Sequence, residues 1–200
     1  MAQFPRARLS SPARASKAAP ACPTVAVLCV AALAAPVAHA QVSTAAPQHA
    51  HVHGIARMGV VVQGGTVSIT LESPLDSLIG FEHRPATPAQ QAAADALRSR
   101  VQAGTGLFSF DAGADCALVK AEAESAIFVP AAQAGAGEEH ADLDASFEFR
   151  CARPERLGRL DVGLFTAYPR LQRIAVEVVT DQGQFKRELN RSVRTVALRR

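Results

Sequence analysis

The chain has 200 residues with 21 Lys and Arg against 18 Asp and Glu, four cysteines, one Tyr and no Trp. Arg6, Arg8, Arg14 and Lys17 lie in the first forty positions and every acidic residue lies beyond them, so the remainder carries 17 basic against 18 acidic groups, a net charge of about −1. The pI of about 8.9 is therefore a property of the amino-terminal segment, and a near-neutral body with no basic stripe and no aromatic platform excludes nucleic acid as the expected partner.

That segment continues into an apolar run from Thr24 to Val37, interrupted by Pro36 and closed by Ala38-His39-Ala40. A charged start, a short apolar stretch and a small-x-small end are the parts of a secretory signal. The run falls short of the roughly 20 apolar residues that span a bilayer, so no membrane anchor is expected. Cys29 follows Leu28 inside the run, which argues against lipidation. The expectation is a bacterial periplasmic protein, with residues 1–40 a signal peptide, 41–54 a flexible histidine-containing segment and 55–200 a single domain. In that oxidising compartment Cys116 and Cys151, the two cysteines left after cleavage, have one intramolecular pairing. A structural disulfide is the expected state, closing a loop of about 36 residues and contributing about 4 kcal/mol in the chain-entropy model. A redox pair and two soft metal ligands are the alternatives, although neither cysteine lies in a C-x-x-C.

Taken in chain order, Ile55 to Val62 and Thr66 to Leu71 are β-branched segments joined by Gln63-Gly64-Gly65, a hairpin signal. Val67, Ile69 and Leu71 alternate with Ser68 and Thr70, which predicts one buried face. Leu75 to Phe81 reads as a helical turn after Ser73-Pro74. Pro88 at a first helical position and Gly104 past the end predict one long helix over about 88–103, with Ala89, Ala93, Ala96, Leu97 and Val101 on its apolar face. Strand character resumes at Phe108 and Phe110 and over Cys116 to Ala123. Ala145 to Ala152 places Phe147, Phe149 and Cys151 on one inward face. Pro130 to Asp144, rich in Ala, Gly and acids, reads as a mobile loop with little to bury. Arg159 to Leu164 alternates, Phe165 to Arg170 makes a turn, and Leu171 to Thr180 with Gln184 to Leu189 form a second hairpin across Asp181-Gln182-Gly183. A last strand covers Val193 to Leu198. The expected class is α+β, a mainly antiparallel sheet with one long helix and short helical turns.

The densest chemical signal is His49-Ala50-His51-Val52-His53-Gly54. If that segment is extended, alternate side chains share a face, and His49, His51 and His53 lie roughly 6.5 to 7 Å apart. Imidazoles so placed suit a borderline ion such as Zn²⁺. A second group, Glu138, Glu139, His140, Asp142 and Asp144, offers an imidazole and carboxylates to mixed zinc coordination, or else simply solvated charge. Zinc binding through histidine should weaken as pH falls through about 6.5, because a protonated imidazole cannot ligate. The sequence contains no G-x-S-x-G, no H-E-x-x-H, no phosphate-binding glycine loop and no C-x-x-C-H, so no enzymatic activity is expected.

The blocks His51-Val52-His53-Gly54, Glu72-Ser73-Pro74, Gly80-Phe81-Glu82-His83, Cys116, Phe147-Glu148-Phe149-Arg150-Cys151, Leu164-Phe165 and Tyr168-Pro169 resemble the ZrgA-like family of zinc-regulated periplasmic proteins. The resemblance implies a periplasmic zinc-binding accessory protein that buffers Zn²⁺ or hands it to a zinc import system. It implies His51 and His53 as ligands in the opening His-x-His-Gly, and adds His83 from the Gly-Phe-Glu-His block. Members of the family often carry a long histidine- and acid-rich run between the two cysteines. Here Glu138-Glu139-His140-Ala141-Asp142 stands in its place, which implies a single tighter site or a vestigial function rather than a high-capacity sponge; His140, Glu139 and Asp142 are read as secondary ligands. The competing reading is a cell-envelope interaction module whose histidines are incidental.

Overall fold

A computed structural model describes residues 52–129 and 141–199, all within a compact unit spanning Pro47–Arg200. His49, His51, Glu138, Glu139 and His140 lie outside the described residues, as do the expected signal peptide and most of the 41–54 segment.

The first hairpin forms as its alternation predicts: β1 (Ile55–Gln63) pairs antiparallel with β2 (Thr66–Pro74). Ala56, Met58 and Val60 of β1 and Val67, Ile69 and Leu71 of β2 are buried. At about 1.5–3 kcal/mol for each large side chain removed from water, this face fixes the register, since a one-residue slip would expose all of them. β2 also pairs with β5 (Asp142–Cys151), whose Leu143, Ala145, Phe147 and Phe149 enter the same core. On the far edge of β5 lies β4 (Cys116–Glu124), with Cys116 directly opposite Cys151 and joined to it by a disulfide. On the other side of β1 runs the second hairpin, β7 (Arg173–Thr180) and β8 (Gly183–Asn190). The six-stranded order is β4-β5-β2-β1-β7-β8, antiparallel throughout except for the parallel pair β1–β7.

The inner face of this sheet is covered by a three-stranded sheet and by helices that share one core. β3 (Phe108–Phe110) and β9 (Thr195–Ala197) flank β6 (Arg159–Val162). The two sheets meet through edge-to-face aromatic pairs, Phe108 on Phe147 at 5.0 Å and Phe110 on Phe149 at 4.9 Å. The long helix is α2 (Pro88–Ala103), following the short α1 (Leu75–Ile79). Thr87 caps α2 by accepting a hydrogen bond from Gln90 N–H, and Pro88 opens it. Its buried stripe is Ala94, Leu97 and Val101, whereas Ala89 and Ala96 are exposed and Ala93 is half-buried. The observed face is rotated from the expected one because alanines are indifferent to side; only Leu97 and Val101 carry enough apolar surface to orient the helix, and position 94 lies three before Leu97 and seven before Val101, on the same face. A third short helix, α3 (Leu164–Ala167), leads into the turn before β7.

Residues 142–144 correct the expected loop: they are strand, because β2 runs on to Pro74 and pairs with β5 as far as Asp142, while Leu143 is fully buried. Asp142 and Asp144 therefore sit on the outer, polar side of β5 by strand alternation. Among the described residues, no helix is long and apolar enough to cross a membrane.

One carboxylate pins the small sheet. Asp111 accepts hydrogen bonds from the amides of Gly158 (2.8 Å) and Arg159 (2.9 Å). The Gly158 amide holds its carboxyl below the ordinary range; burial, next in size, opposes it, and the Arg159 amide and the charges of Arg159 and Arg199 add smaller lowering effects. A depressed folded-state pKa gives stability that is complete above the unfolded value and is lost as pH falls through the folded one. Asp111→Asn should therefore be less stable than the parent at neutral pH, with the gap shrinking as pH drops below 3.8, the ordinary value. Urea unfolding of both proteins along an acid series checks this, and a gap that did not depend on pH would refute it.

Candidate metal centre

His53 sits at the entry to β1, where Val52 to Ile55 form a turn closed by Ile55 N–H donating to Val52 O at 3.1 Å. His53 is the second residue of that turn, and His49 and His51 lie outside the described residues. Gly54 has φ of +80°, the left-handed value that the third position of such a turn demands. Its amide donates to the Ser77 hydroxyl of α1 at 2.7 Å, and its carbonyl accepts from Gln172 and Arg173 at 2.8 and 3.0 Å. Ser77 is fully buried, so a polar group inside the core is committed to fixing the residue next to His53. Gly54→Ala would combine a disfavoured φ with a Cβ 3.1 Å from the Gln172 side chain. A loss of about 1–2 kcal/mol is expected, readable as a lowered denaturant midpoint; an unchanged midpoint would show that the turn yields freely.

From this anchored position the His53 ring, 61% exposed, lies between two carboxylates. Nε2 is 2.8 Å from Glu82 Oε1, and Nδ1 is 3.8 Å from Asp76 Oδ2. Glu82 is only 10% exposed and Asp76 20%, so both negative charges are partly withdrawn from water and their attraction for a cation is strengthened. Asp76 stands in the first turn of α1 and pairs with Arg170 Nη2 at 3.0 Å. The short helix ends at Gly80, whose φ of +87° turns the chain toward Glu82.

The segment after that turn also gathers both ends of the stretch 130–140. Arg84 donates to the carbonyls of Val129 (2.8 Å) and Ala126 (3.0 Å), and the Glu82 carbonyl accepts from Ala141 N–H at 3.1 Å. Ala141 O in turn accepts from Leu75 N–H at 3.1 Å. The last described residue before the stretch and the first after it are thus fastened to the block that holds the His53 partner. His83 is exposed, with its ring 5.4 Å from that of Phe81 and Nδ1 2.8 Å from the Arg84 carbonyl. A carbonyl only accepts, so Nδ1 is the donor in this contact, and Nε2 is the nitrogen that a neutral ring would offer to a metal.

The structure thus joins His53 to Glu82 and Asp76, turns Nδ1 of His83 to the Arg84 carbonyl, and sets Asp142 at the start of β5 opposite Pro74. The two cysteines are consumed by their disulfide and are not ligands. Among the described residues, no group of three or more His, Cys, Asp or Glu side chains is arranged to hold a metal ion; what is present is a histidine–carboxylate pair. Asp76, Ser77 and Arg170 were not singled out from the sequence. Nothing local marks them, since Arg170 meets Asp76 across 94 positions. Glu82 appeared only as a letter of the Gly-Phe-Glu-His block. A separate groove of about 630 Å³ on the outer sheet face is lined by Arg57, Glu72, Glu122, Glu124, Asp144 and Glu177 among others, and no histidine lines it.

No curated protein matches the chain significantly. A family profile described as ZrgA family zinc uptake protein matches residues 50–198. That span contains the His53–Gly54 turn, the Gly80–Arg84 block and both cysteines, and the chain belongs to this family of zinc uptake proteins.

Proposed function

We propose that this protein is a periplasmic accessory of zinc uptake that binds Zn²⁺ as cargo and buffers it or passes it to an import system, without catalysing a reaction. The observation that carries this reading is the His53–Glu82 contact, made by a turn-locked histidine and a sheltered carboxylate in a zinc uptake family. A zinc ion takes imidazole nitrogen at about 2.0–2.1 Å and carboxylate oxygen at about 2.0–2.2 Å, so inserting one between atoms 2.8 Å apart asks them to separate by only about half an ångström. The two carboxylates and one guanidinium around the ring leave a net negative site that favours a dication. The remaining ligands in this reading are His51 and His49, two and four positions before His53, and His140, which directly precedes Ala141 on the Glu82 carbonyl. His83 is a further donor. Glu139 and Asp142 would supply oxygen in a secondary role.

Calorimetric titration of Zn²⁺ into the metal-stripped chain, beside a variant carrying His49→Ala, His51→Ala and His53→Ala, tests the reading. Near-stoichiometric binding that disappears in the variant is the expected result. Binding that survives in the variant would move the site away from this turn. No binding by either protein would leave the chain without a cargo role.

A further inference from the structure

A largely exposed imidazole at the end of a turn has no packing to choose its rotamer, and each binding event would then cost the entropy of ordering it. His53 is placed differently, because a second carboxylate stands on the nitrogen that a metal would not use. Asp76 Oδ2 lies 3.8 Å from Nδ1, a distance that a small side-chain rotation converts to a hydrogen bond. Asp76 is itself clamped by one residue in two places: Arg170 Nη2 meets its Oδ1 at 3.0 Å, and Arg170 Nε donates to its backbone carbonyl at 2.9 Å. A planar guanidinium meets the two points with two separate nitrogens in a fixed fork, a spacing that a single ammonium nitrogen does not provide. The same chain segment supplies the Gln172 and Arg173 amides that fix Gly54 O, so the clamp and the turn bearing His53 are tied to one stretch of backbone.

We propose that Asp76, held by Arg170, is the positioning residue of the zinc site. It turns the His53 ring so that Nε2 faces Glu82, and it accepts the Nδ1 proton's hydrogen bond when Nε2 ligates. This rests on the reading that His53 binds zinc. Carboxylates in this relation to a ligating histidine fix its tautomer and raise its basicity, and their loss typically costs about 10–100-fold in metal affinity. Arg170 keeps Asp76 in that role, because a carboxylate with one oxygen neutralised is a poorer competitor for the ion itself.

The test uses Zn²⁺ in competition with a chromophoric chelator on the parent, Asp76→Asn, Arg170→Gln and the double variant. Alongside it, the His53 χ1 couplings and the thermal midpoint are measured on each metal-free protein. Asp76→Asn is expected to weaken zinc by about tenfold or more and to average the His53 rotamer without metal. Arg170→Gln should weaken zinc less, and the double variant no more than Asp76→Asn alone, because the arginine acts through the aspartate. A merely structural clamp would lower the midpoint and leave affinity and rotamer alone, which overturns the proposal. Tighter zinc binding by Arg170→Gln would overturn it too, by making Asp76 a direct ligand. If His53→Ala binds zinc like the parent, the site reading itself fails, and the metal-free rotamer of Asp76→Asn still decides whether Asp76 positions the ring.

Discussion

Replacing His53 with alanine is expected to weaken zinc binding on the order of 100-fold, equivalent to about 2.7 kcal/mol, and Glu82→Gln should follow it closely. Both atoms of the 2.8 Å pair belong to side chains held from behind. His53 is fixed through Gly54 and Ser77, and Glu82 through the backbone bond to Ala141 and the turn at Gly80. Removing either one deletes a ligand and also the organisation of the other. A double variant should therefore lose less than the sum of the two single losses. His53→Ala should shift the unfolding midpoint of the metal-free protein little, since His53 is mostly exposed. Chelator competition gives the affinities, and losses under threefold for both variants would remove the pair from the site.

The second large effect concerns stability rather than binding. Cys116 and Cys151 face each other on β4 and β5 and are 35 positions apart in sequence. Opening that loop in the unfolded chain should cost about 4 kcal/mol in the chain-entropy model, so Cys116→Ser with Cys151→Ser should lower the urea midpoint substantially. The bond lies at the opposite end of β5 from Ala141 and Asp142, nine residues of strand away by position, or roughly 30 Å at strand rise. The folded fraction of the double serine variant should accordingly bind zinc as the parent does. A loss of affinity with stability intact would instead implicate the cysteines in the metal chemistry.

Much of the architecture was legible because strand alternation and turn residues are local signals. The β1–β2 and β7–β8 hairpins formed where Gln63-Gly64-Gly65 and Asp181-Gln182-Gly183 place them, and Thr87, Pro88 and Gly104 bounded α2. The parallel meeting of β1 with β7 was not legible, since it joins segments more than a hundred residues apart with no turn to announce it. The site divides in the same way. His53 stood out by composition, whereas the groups that give it direction, Asp76, Glu82 and Arg170, are brought to it by α1, the Gly80 turn and the segment before β7. Gly54 takes a left-handed turn at the entry to β1, and the expected alternation of His49 and His51 with His53 rests on residues outside the described ones.

X-ray absorption at the zinc edge of the loaded protein tests the central claim most directly. Zinc held at this turn gives a shell of nitrogen and oxygen at about 2.0–2.2 Å with outer-ring imidazole scattering, no sulfur near 2.3 Å, and a reduced imidazole signal in His53→Ala. Sulfur in the shell, or a spectrum unaltered by His53→Ala, would contradict it.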